Sequence, residues 1–187
     1  MTLEEIKKRI LSLIEEINPE SEYLTDDDDI QAKINYCIDM IQNELARIKK
    51  IPKIATFEVE SGTTYDVKDE VEYLYKIRNI EIKDAEGNSI GFDLFGTTLI
   101  PEGDGVATVK YYKYPVPITE DTPDTYEFEI SQDILEILPY GAAADILKND
   151  VAAQFGRVYE TAYQSALQKL DINTNEMTYY IGDGVDV

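Results

Sequence analysis

Residues 131–171 read SQDILEILPYGAAADILKNDVAAQFGRVYETAYQSALQKLD, and this stretch decides the fold. Its apolar residues recur at the three-and-four spacing of an amphipathic helix. Small residues, including Ala142, Ala143 and Ala144, lie on the predicted contact face, where they let a neighbouring helix come close. The pattern therefore predicts two closely packed helices whose role is packing, not chemistry.

A further helix is predicted at the N-terminus, over about residues 3–18. Thr2 and Glu5 match a capping box, in which each side chain satisfies a backbone N–H of the other residue. Asn18 and Pro19 are the expected stop. The apolar stripe of this helix predicts that one face is buried.

The second N-terminal helix is the strongest local signal in the chain. Thr25 is its predicted cap, and the carboxylates of Asp26 to Asp29 lie in its predicted first turn, near the positive end of the helix dipole. The aspartates lack the spacing and the distal glutamate of a calcium loop, so a solvated helix start is the favoured interpretation. Pro52 is the expected breaker of this helix.

From Phe57 onwards the apolar period changes to two, which predicts strands and hairpins. We expect five or six antiparallel strands, with a turn at 85–88, followed by a mostly irregular return over 114–129. The predicted fold class is α+β: a mainly α-helical bundle of two N-terminal and two C-terminal helices with an inserted antiparallel β domain. The predicted divisions are 1–52 and 131–171 for one helical body, 53–130 for the β region and 172–187 for a tail.

The chain is strongly acidic, with 38 acidic and 17 basic residues among 187 and a formal net charge of −21. No segment is basic, which argues against a protein whose affinity comes from neutralising phosphates. Solubility is the simplest interpretation of this charge. A repulsive surface past which nucleic acid moves without binding is the alternative.

Cysteine and histidine usage limits the chemistry. Cys37 is the only cysteine and there is no histidine, so an internal disulfide is impossible and the common zinc-ligand sets cannot be assembled. Cys37 lies in a helical apolar pattern and is predicted to be a buried apolar side chain. The N-terminus lacks an unbroken apolar run, so we expect a soluble intracellular product without a signal peptide or membrane span.

The remaining candidates for chemistry have simpler explanations. The glycine-rich turn at 103–105 precedes a strand pattern, whereas a phosphate loop precedes a helix. Pairs such as Glu70 with Glu72 and Asp121 with Asp124 are expected by chance among so many carboxylates. The 14 tyrosines favour half-buried strands and protein interfaces. An aromatic platform for single-stranded nucleic acid would normally need a basic groove as well.

With its elements in this order, the chain resembles the head–tail connector, or adaptor, proteins of tailed bacteriophages. The resemblance rests on NYCIDMIQNELARIKKIP at 35–52, on the β insertion after it, and on the block DILEILPYGAAADILKNDVAAQFGRVYETAYQSALQKLD at 133–171. In that family a Leu-Pro-Tyr segment, then small residues and an acidic Leu-Lys-x-Asp, leads into a last long helix. The residues that fit this form are Leu138, Pro139, Tyr140, Ala142, Leu147, Lys148 and Asp150.

The resemblance implies a virion structural protein without catalytic residues, cofactor or metal. It implies a ring of twelve copies beneath the portal protein, in the neck between capsid and tail. This ring extends the DNA channel and gives the tail or neck proteins a docking surface, while DNA passes through without sequence-specific binding and no membrane is involved. Synthesis in the cytoplasm of the host bacterium follows.

Interface residues are predicted in two places. One group is Tyr140, Ala142 and Ala143, on the small-residue face; the other is Tyr179, Tyr180 and Ile181, in the tail. The tail is predicted either to add as a strand to a neighbouring subunit or the portal, or to be a disordered end.

Three other classes remain open: another neck or tail-completion protein of the virion, a small hydrolase using paired carboxylates, and a bacterial regulator acting by protein contact. The predicted core of the helical body is Ile10, Ile14, Ile34, Ile38, Ile41, Leu45, Leu138, Ile146, Leu147, Phe155, Tyr159 and Leu167.

Overall fold

A computed structural model describes residues 1–15, 25, 27–148 and 153–175, and the chain divides into two compact units. The helical unit consists of Met1–Lys49 and Ile118–Val187, and the β unit is Lys50–Pro117. In chain order the elements are α1 (Leu3–Leu13), α2 (Asp28–Ile48), β1 (Ile51–Val59), β2 (Tyr65–Asp66), α3 (Val67–Glu70), β3 (Leu74–Lys83), β4 (Phe92–Phe95), β5 (Thr98–Pro101), β6 (Gly105–Lys113), α4 (Gln132–Leu135), α5 (Leu138–Leu147) and α6 (Ala153–Asn175).

The predicted capping box begins α1. The Glu5 N–H donates to Thr2 Oγ1 at 3.3 Å, and the Thr2 N–H donates to Glu5 Oε2 at 2.9 Å, so this prediction is confirmed. The predicted end near residue 18 is wrong, because α1 ends at Leu13. Glu15 has a φ of 61°, in the left-handed region, and the helix cannot continue through that conformation.

The start of α2 differs from the prediction by two residues. Asp27, not Thr25, is the N-cap, and its Oδ1 accepts hydrogen bonds from the N–H groups of Asp29 at 2.9 Å and Ile30 at 3.1 Å. Thr25 is buried, and its hydroxyl accepts from the Asp27 N–H at 3.2 Å. An aspartate two residues after the predicted cap therefore satisfies the helix start, and Asp26 lies outside the described residues.

The C-terminal block forms three helices where two were predicted. A short helix, α4, is followed by α5, which carries Pro139 in its first turn. Proline has no N–H to continue a preceding helix, and it suits the first turn of a new one. Helix α5 is the centre of the helical unit, because it packs against α1, α2 and α6.

Most of the predicted core is buried in the helical unit. The assignment of Phe155 to the core is wrong, because its side chain is 56% exposed. The helical period of α6 was recognised, but the period alone does not show which face of the helix is covered. Buried in agreement with the prediction are Ile10, Ile34, Ile38, Ile41, Leu45, Leu138 and Leu147, while Ile14, Ile146, Tyr159 and Leu167 are half-buried.

The β unit holds two three-stranded antiparallel sheets, with strand orders β1–β6–β3 and β2–β5–β4. Helix α2 ends at Ile48, before Pro52, in agreement with the prediction. The first strand starts at Ile51, ahead of the predicted start at Phe57, and it contains Pro52. Proline is tolerated there because β1 is an edge strand, where an N–H is not required for the ladder. The unit has its own core, formed by Val59, Val67, Val71, Ile80, Ile82, Leu99, Ala107, Val109 and Tyr111.

The predicted fold class is therefore wrong. The described helices do not form a four-helix bundle of two N-terminal and two C-terminal helices, because the C-terminal block supplies three and the β unit adds α3. The strands form two small antiparallel sheets with a core of their own. Segment 114–129, predicted to be mostly irregular, lies outside the named helices and strands, with an isolated bridge between Glu127 and Thr2.

Candidate interaction surface

The first turn of α5 places an aromatic side chain at the surface of the helical unit. The ring of Tyr140 is partly exposed and lies against the ring of Tyr159 on α6, with centroids 6.5 Å apart. The Tyr159 hydroxyl donates to the backbone carbonyl of Leu13, at the end of α1, with an O···O distance of 2.5 Å. The two tyrosines thus join α1, α5 and α6 at one place.

Two grooves meet at this place, and both include Leu13. One, of about 380 Å³, is lined by Lys8, Arg9, Ser12, Leu13, Glu136, Pro139 and Tyr140. The other, of about 240 Å³, is lined by Leu13, Ile14, Glu15, Leu147, Phe155 and Tyr159.

Helix α6 contributes Phe155 to the second groove, and Val158 follows three residues later on the same helix. Phe155 is 56% exposed and Val158 is 62% exposed, and residues three apart lie on one face of a helix. We call the set Leu13, Tyr140, Phe155, Val158 and Tyr159 the α1–α6 apolar surface. Exposed apolar side chains grouped in this way are a common mark of an interaction site.

Ion pairs border the first groove. Arg9 Nη1 lies 2.6 Å from Glu136 Oε2, and Lys8 Nζ lies 2.7 Å from Glu4 Oε1. Aromatic and apolar residues at the centre with charged residues at the rim are the usual anatomy of a protein–protein interface. The arrangement suits contact with a protein surface.

The predicted interface residues lie in different environments. Tyr140 belongs to the α1–α6 apolar surface, whereas Ala142 and Ala143 are fully buried inside the helical unit. Tyr179, Tyr180 and Ile181 lie outside the described residues. Sequence reasoning missed Phe155 and Val158 as surface residues, and the signal was present in the wide apolar stripe of α6, which is broader than one neighbouring helix can cover.

A third cavity, of about 360 Å³, lies among α2, α5 and α6 and contains carboxylates. The Tyr163 hydroxyl donates to Glu44 Oε2 at 2.8 Å, across from α6 to α2. Burial raises the pKa of Tyr163 well above its ordinary value, and the hydrogen bond to Glu44 adds to the rise. This phenol therefore stays protonated and links two helices. The cavity also includes the cationic side chains of Lys148 and Arg157, so its walls carry mixed charge.

The structure gives no support to the carboxylate pairs considered as catalysts. Glu70 ends α3 in the β unit, and Asp124 is held in an ion pair with Lys7 at 2.8 Å in the helical unit. Among the described residues, no group of three or more histidine, cysteine or acidic side chains is placed to hold a metal ion.

The single thiol is a core residue. Cys37 is buried on α2, and burial, with a smaller contribution from Asp145, raises its pKa from 9.0 to about 11. The thiol is therefore protonated at neutral pH, which is the reverse of what a nucleophilic cysteine needs.

In the described part of the chain, no helix combines the length and the apolar character that crossing a membrane requires. A comparison with curated proteins found no match. A family model described as the SU10 adaptor protein matches residues 1–182, which is nearly the whole chain.

Proposed function

The chain belongs to the SU10 adaptor protein family, and we propose that it forms an oligomeric ring on the portal of a tailed bacteriophage. Family membership makes it a structural adaptor protein of a phage virion, as the resemblance implied. The finer elements of the proposal are portal binding, a ring of copies in the neck, an extended DNA channel and a docking surface for the tail. The match over residues 1–182 is the observation that carries the proposal.

We assign the contact with the portal to the α1–α6 apolar surface. An adaptor must bind the protein that it extends, and this surface has the composition of an interface, with two tyrosines and a phenylalanine beside aliphatic side chains. Tyrosine is among the residue types that contribute most to binding when it is fully desolvated. Covering Phe155 and Val158 removes apolar area from water, which drives association.

The charge of the chain supports a passage for DNA. A net charge of −21 per copy repels phosphates, so a ring of such copies lets DNA pass without adhering. In this proposal the chain has no catalytic role in the virion, and its function consists of holding partners and keeping the channel open.

The test is binding to the purified portal protein of the same virus, followed by size-exclusion chromatography with light scattering. We expect the wild-type chain to elute with the portal as a complex of defined mass. Phe155→Asp should abolish co-elution, because it places a charge in the centre of the apolar surface.

Phe95→Asp is the matched control. Phe95 lies in the β unit with its side chain 89% exposed, so this variant has the same change of side chain on a solvent-facing position outside the proposed surface. We expect it to bind the portal as the wild type does. Separate elution of wild type and portal would overturn the proposal, and binding to a tail-tube protein instead would favour the tail-completion alternative. Equal behaviour of the two variants would overturn the assignment of the surface.

A further inference from the structure

The outer face of the β1–β6–β3 sheet is the face opposite the core of the β unit. Along β6, Ala107, Val109 and Tyr111 are buried in that core, so the alternating residues point to the outer face. The residues that share this face by strand register are Val106, Thr108, Lys110 and Tyr112 on β6, Pro52, Ile54, Thr56 and Glu58 on β1, and Lys76, Asn79, Glu81 and Lys83 on β3.

Tyr112 is the centre of a cationic cluster on this face. Lys50 Nζ lies 5.3 Å from the centroid of its ring, and Arg78 Cζ lies 5.2 Å from the same centroid. A ring at this distance holds a cation by electrostatic attraction to its π face. Within the part of the chain that the structure describes, neither Lys50 nor Arg78 forms a salt bridge with a carboxylate. Both cations are therefore available to a partner.

Positive charge predominates on the face as a whole. We call Lys50, Lys76, Arg78, Lys83, Lys110 and Tyr112 the basic sheet face. Its acidic neighbours are Glu58 and Glu81, and Lys110 Nζ lies 3.6 Å from Glu81 Oε1. The charges come from sequence positions up to 60 residues apart, so no segment of the chain is basic even though this surface is.

The helical unit has the opposite character. It contains 26 acidic and 9 basic residues, whereas the β unit contains 12 and 8. Several of the nine bases are already engaged within the helical unit: Lys7 pairs with Asp124, Arg9 with Glu136 and Lys49 with Asp133. A large surplus of carboxylates in the helical unit is left without a basic partner from the same unit.

We propose that the basic sheet face of one copy docks on the helical unit of the neighbouring copy in the ring. The inference rests on the proposed function, because it needs copies side by side. Such a contact joins two different surfaces, which is the kind of interface that closes a ring by rotation. Charge complementarity steers the approach and fixes the register of the two surfaces.

A protein surface fits this face better than DNA does. Ile54 is 65% exposed and Val106 is 46% exposed, and apolar side chains of this size gain nothing from a phosphate backbone. Glu58 and Glu81 would repel phosphates, whereas a mixed surface can accommodate them. Tyrosine and arginine are typical centres of protein–protein binding energy, and Tyr112 and Arg78 lie together here. Docking also covers the basic face, so the exposed surface of the ring remains acidic.

The experiment is zero-length carbodiimide cross-linking of rings assembled on the purified portal from an equal mixture of ¹⁴N and ¹⁵N copies. Mixed-isotope peptides identify links between copies and exclude links within one chain. We expect such links to join Lys50, Lys76, Lys83 or Lys110 to acidic residues of segments 1–49 or 118–187. Higher salt during assembly should reduce their yield, because salt screens exposed charges.

A double variant, Lys50→Glu with Arg78→Glu, tests the same contact without cross-linking. We expect the protein concentration needed for ring assembly to rise at least about tenfold. Reversing two charges in the interface should weaken the contact by more than about 1.4 kcal/mol, which corresponds to a tenfold change in affinity. Lys53→Glu is the control, because Lys53 is exposed and pairs in register with the core residue Tyr111, on the other face of the sheet. Matching thermal unfolding curves for the three proteins would show that folding is unaffected.

The outcomes separate the two proposals. Rings that form on the portal without mixed-isotope links from the basic sheet face overturn this inference and leave the proposed function standing. Links from this face to the portal, or salt-dependent binding of a DNA duplex that the double variant loses, also overturn it. A chain that does not assemble on the portal overturns both.

Discussion

Gly141 sets how closely three helices approach one another in the helical unit. A Cβ atom added there would lie 3.0 Å from Ile41 Cδ1 on α2 and 3.0 Å from the ring of Tyr163 on α6. The absence of a side chain lets α2 and α6 approach α5 at the same level, where the Tyr163 hydroxyl reaches Glu44.

We therefore expect Gly141→Leu to destabilise the helical unit by about 1–3 kcal/mol, because its Cβ would lie only 3.0 Å from the side chains of Ile41 and Tyr163, which would have to move apart. The measurement is urea unfolding followed by circular dichroism. Lys148→Leu, at the C-cap of the same helix with its side chain 73% exposed, is the control and should change the free energy of unfolding by less than about 0.5 kcal/mol. Equal stability of the glycine variant and the wild type would show that the three helices are farther apart than described.

Ionisation of the Cys37 thiol makes the stability of the folded chain depend on pH in the alkaline range. Its pKa in the folded chain is raised from 9.0 to about 11, mainly by burial. Below pH 9 the thiol is protonated in both states, and stability is unaffected by its titration. Between pH 9 and 11 the unfolded chain ionises first, so the folded state loses stability as pH rises.

The expected loss from this group between pH 8 and pH 10.5 is about 2 kcal/mol. It is measured as the change in free energy of unfolding for the wild type minus the change for Cys37→Ala, which cancels the titration of lysines and tyrosines. A difference near zero would mean that the thiol is solvated in the folded chain.

At the residue scale, the sequence predicted features that depend on residues close to one another in the chain. The capping box of Thr2 and Glu5 and the burial of Cys37 followed from spacing alone. The contact between Tyr163 and Glu44 could not be predicted, because it joins residues 119 positions apart and depends on how α2 and α6 approach.

At the scale of elements, α6 has a buried side and an exposed apolar side. Tyr163 is buried toward α2 and α5, while Phe155 and Val158 face outward. The sequence predicted the helix and its period, but assigned Phe155 to the core. Whether Phe155 is buried depends on how many helices cover α6. That number is set by tertiary packing and cannot be read from the apolar period of one helix.

Two truncations distinguish core from surface along these helices. Leu138→Ala should cost about 2–5 kcal/mol of stability, because Leu138 is fully buried in the centre of the helical unit. Phe155→Ala should cost less than about 1 kcal/mol, because more than half of its side chain already lies in water. Urea unfolding of both variants is the measurement, and similar losses would show that Phe155 is part of the core.

The break between α4 and α5 was also missed at this scale. Apolar residues continue from Ile134 to Leu138 at helical spacing, so the period predicts one continuous helix. Pro139 is the physical reason for a new start, since it removes an N–H and clashes with a preceding turn. The proline was visible in the sequence, and weighting it above the period would have given the observed boundary.

At the scale of the whole molecule, the distribution of charge decides what the chain can bind. Counting along the sequence showed acidic residues everywhere and correctly found no basic segment. Strand pairing then gathers Lys50, Arg78 and Lys110 on one face around Tyr112, which a count along the chain cannot detect. The acidic surplus therefore belongs chiefly to the helical unit, whereas the β unit carries the basic sheet face that we propose docks on a neighbouring copy.

The central claim is that this adaptor forms a ring on the portal through the α1–α6 apolar surface. Cryo-electron microscopy of the purified chain bound to the portal of the same virus tests it most directly. We predict a closed ring coaxial with the portal, in which Tyr140, Phe155 and Val158 are covered by portal side chains. A portal without added density, or a ring in which these three side chains remain in solvent, would contradict the account.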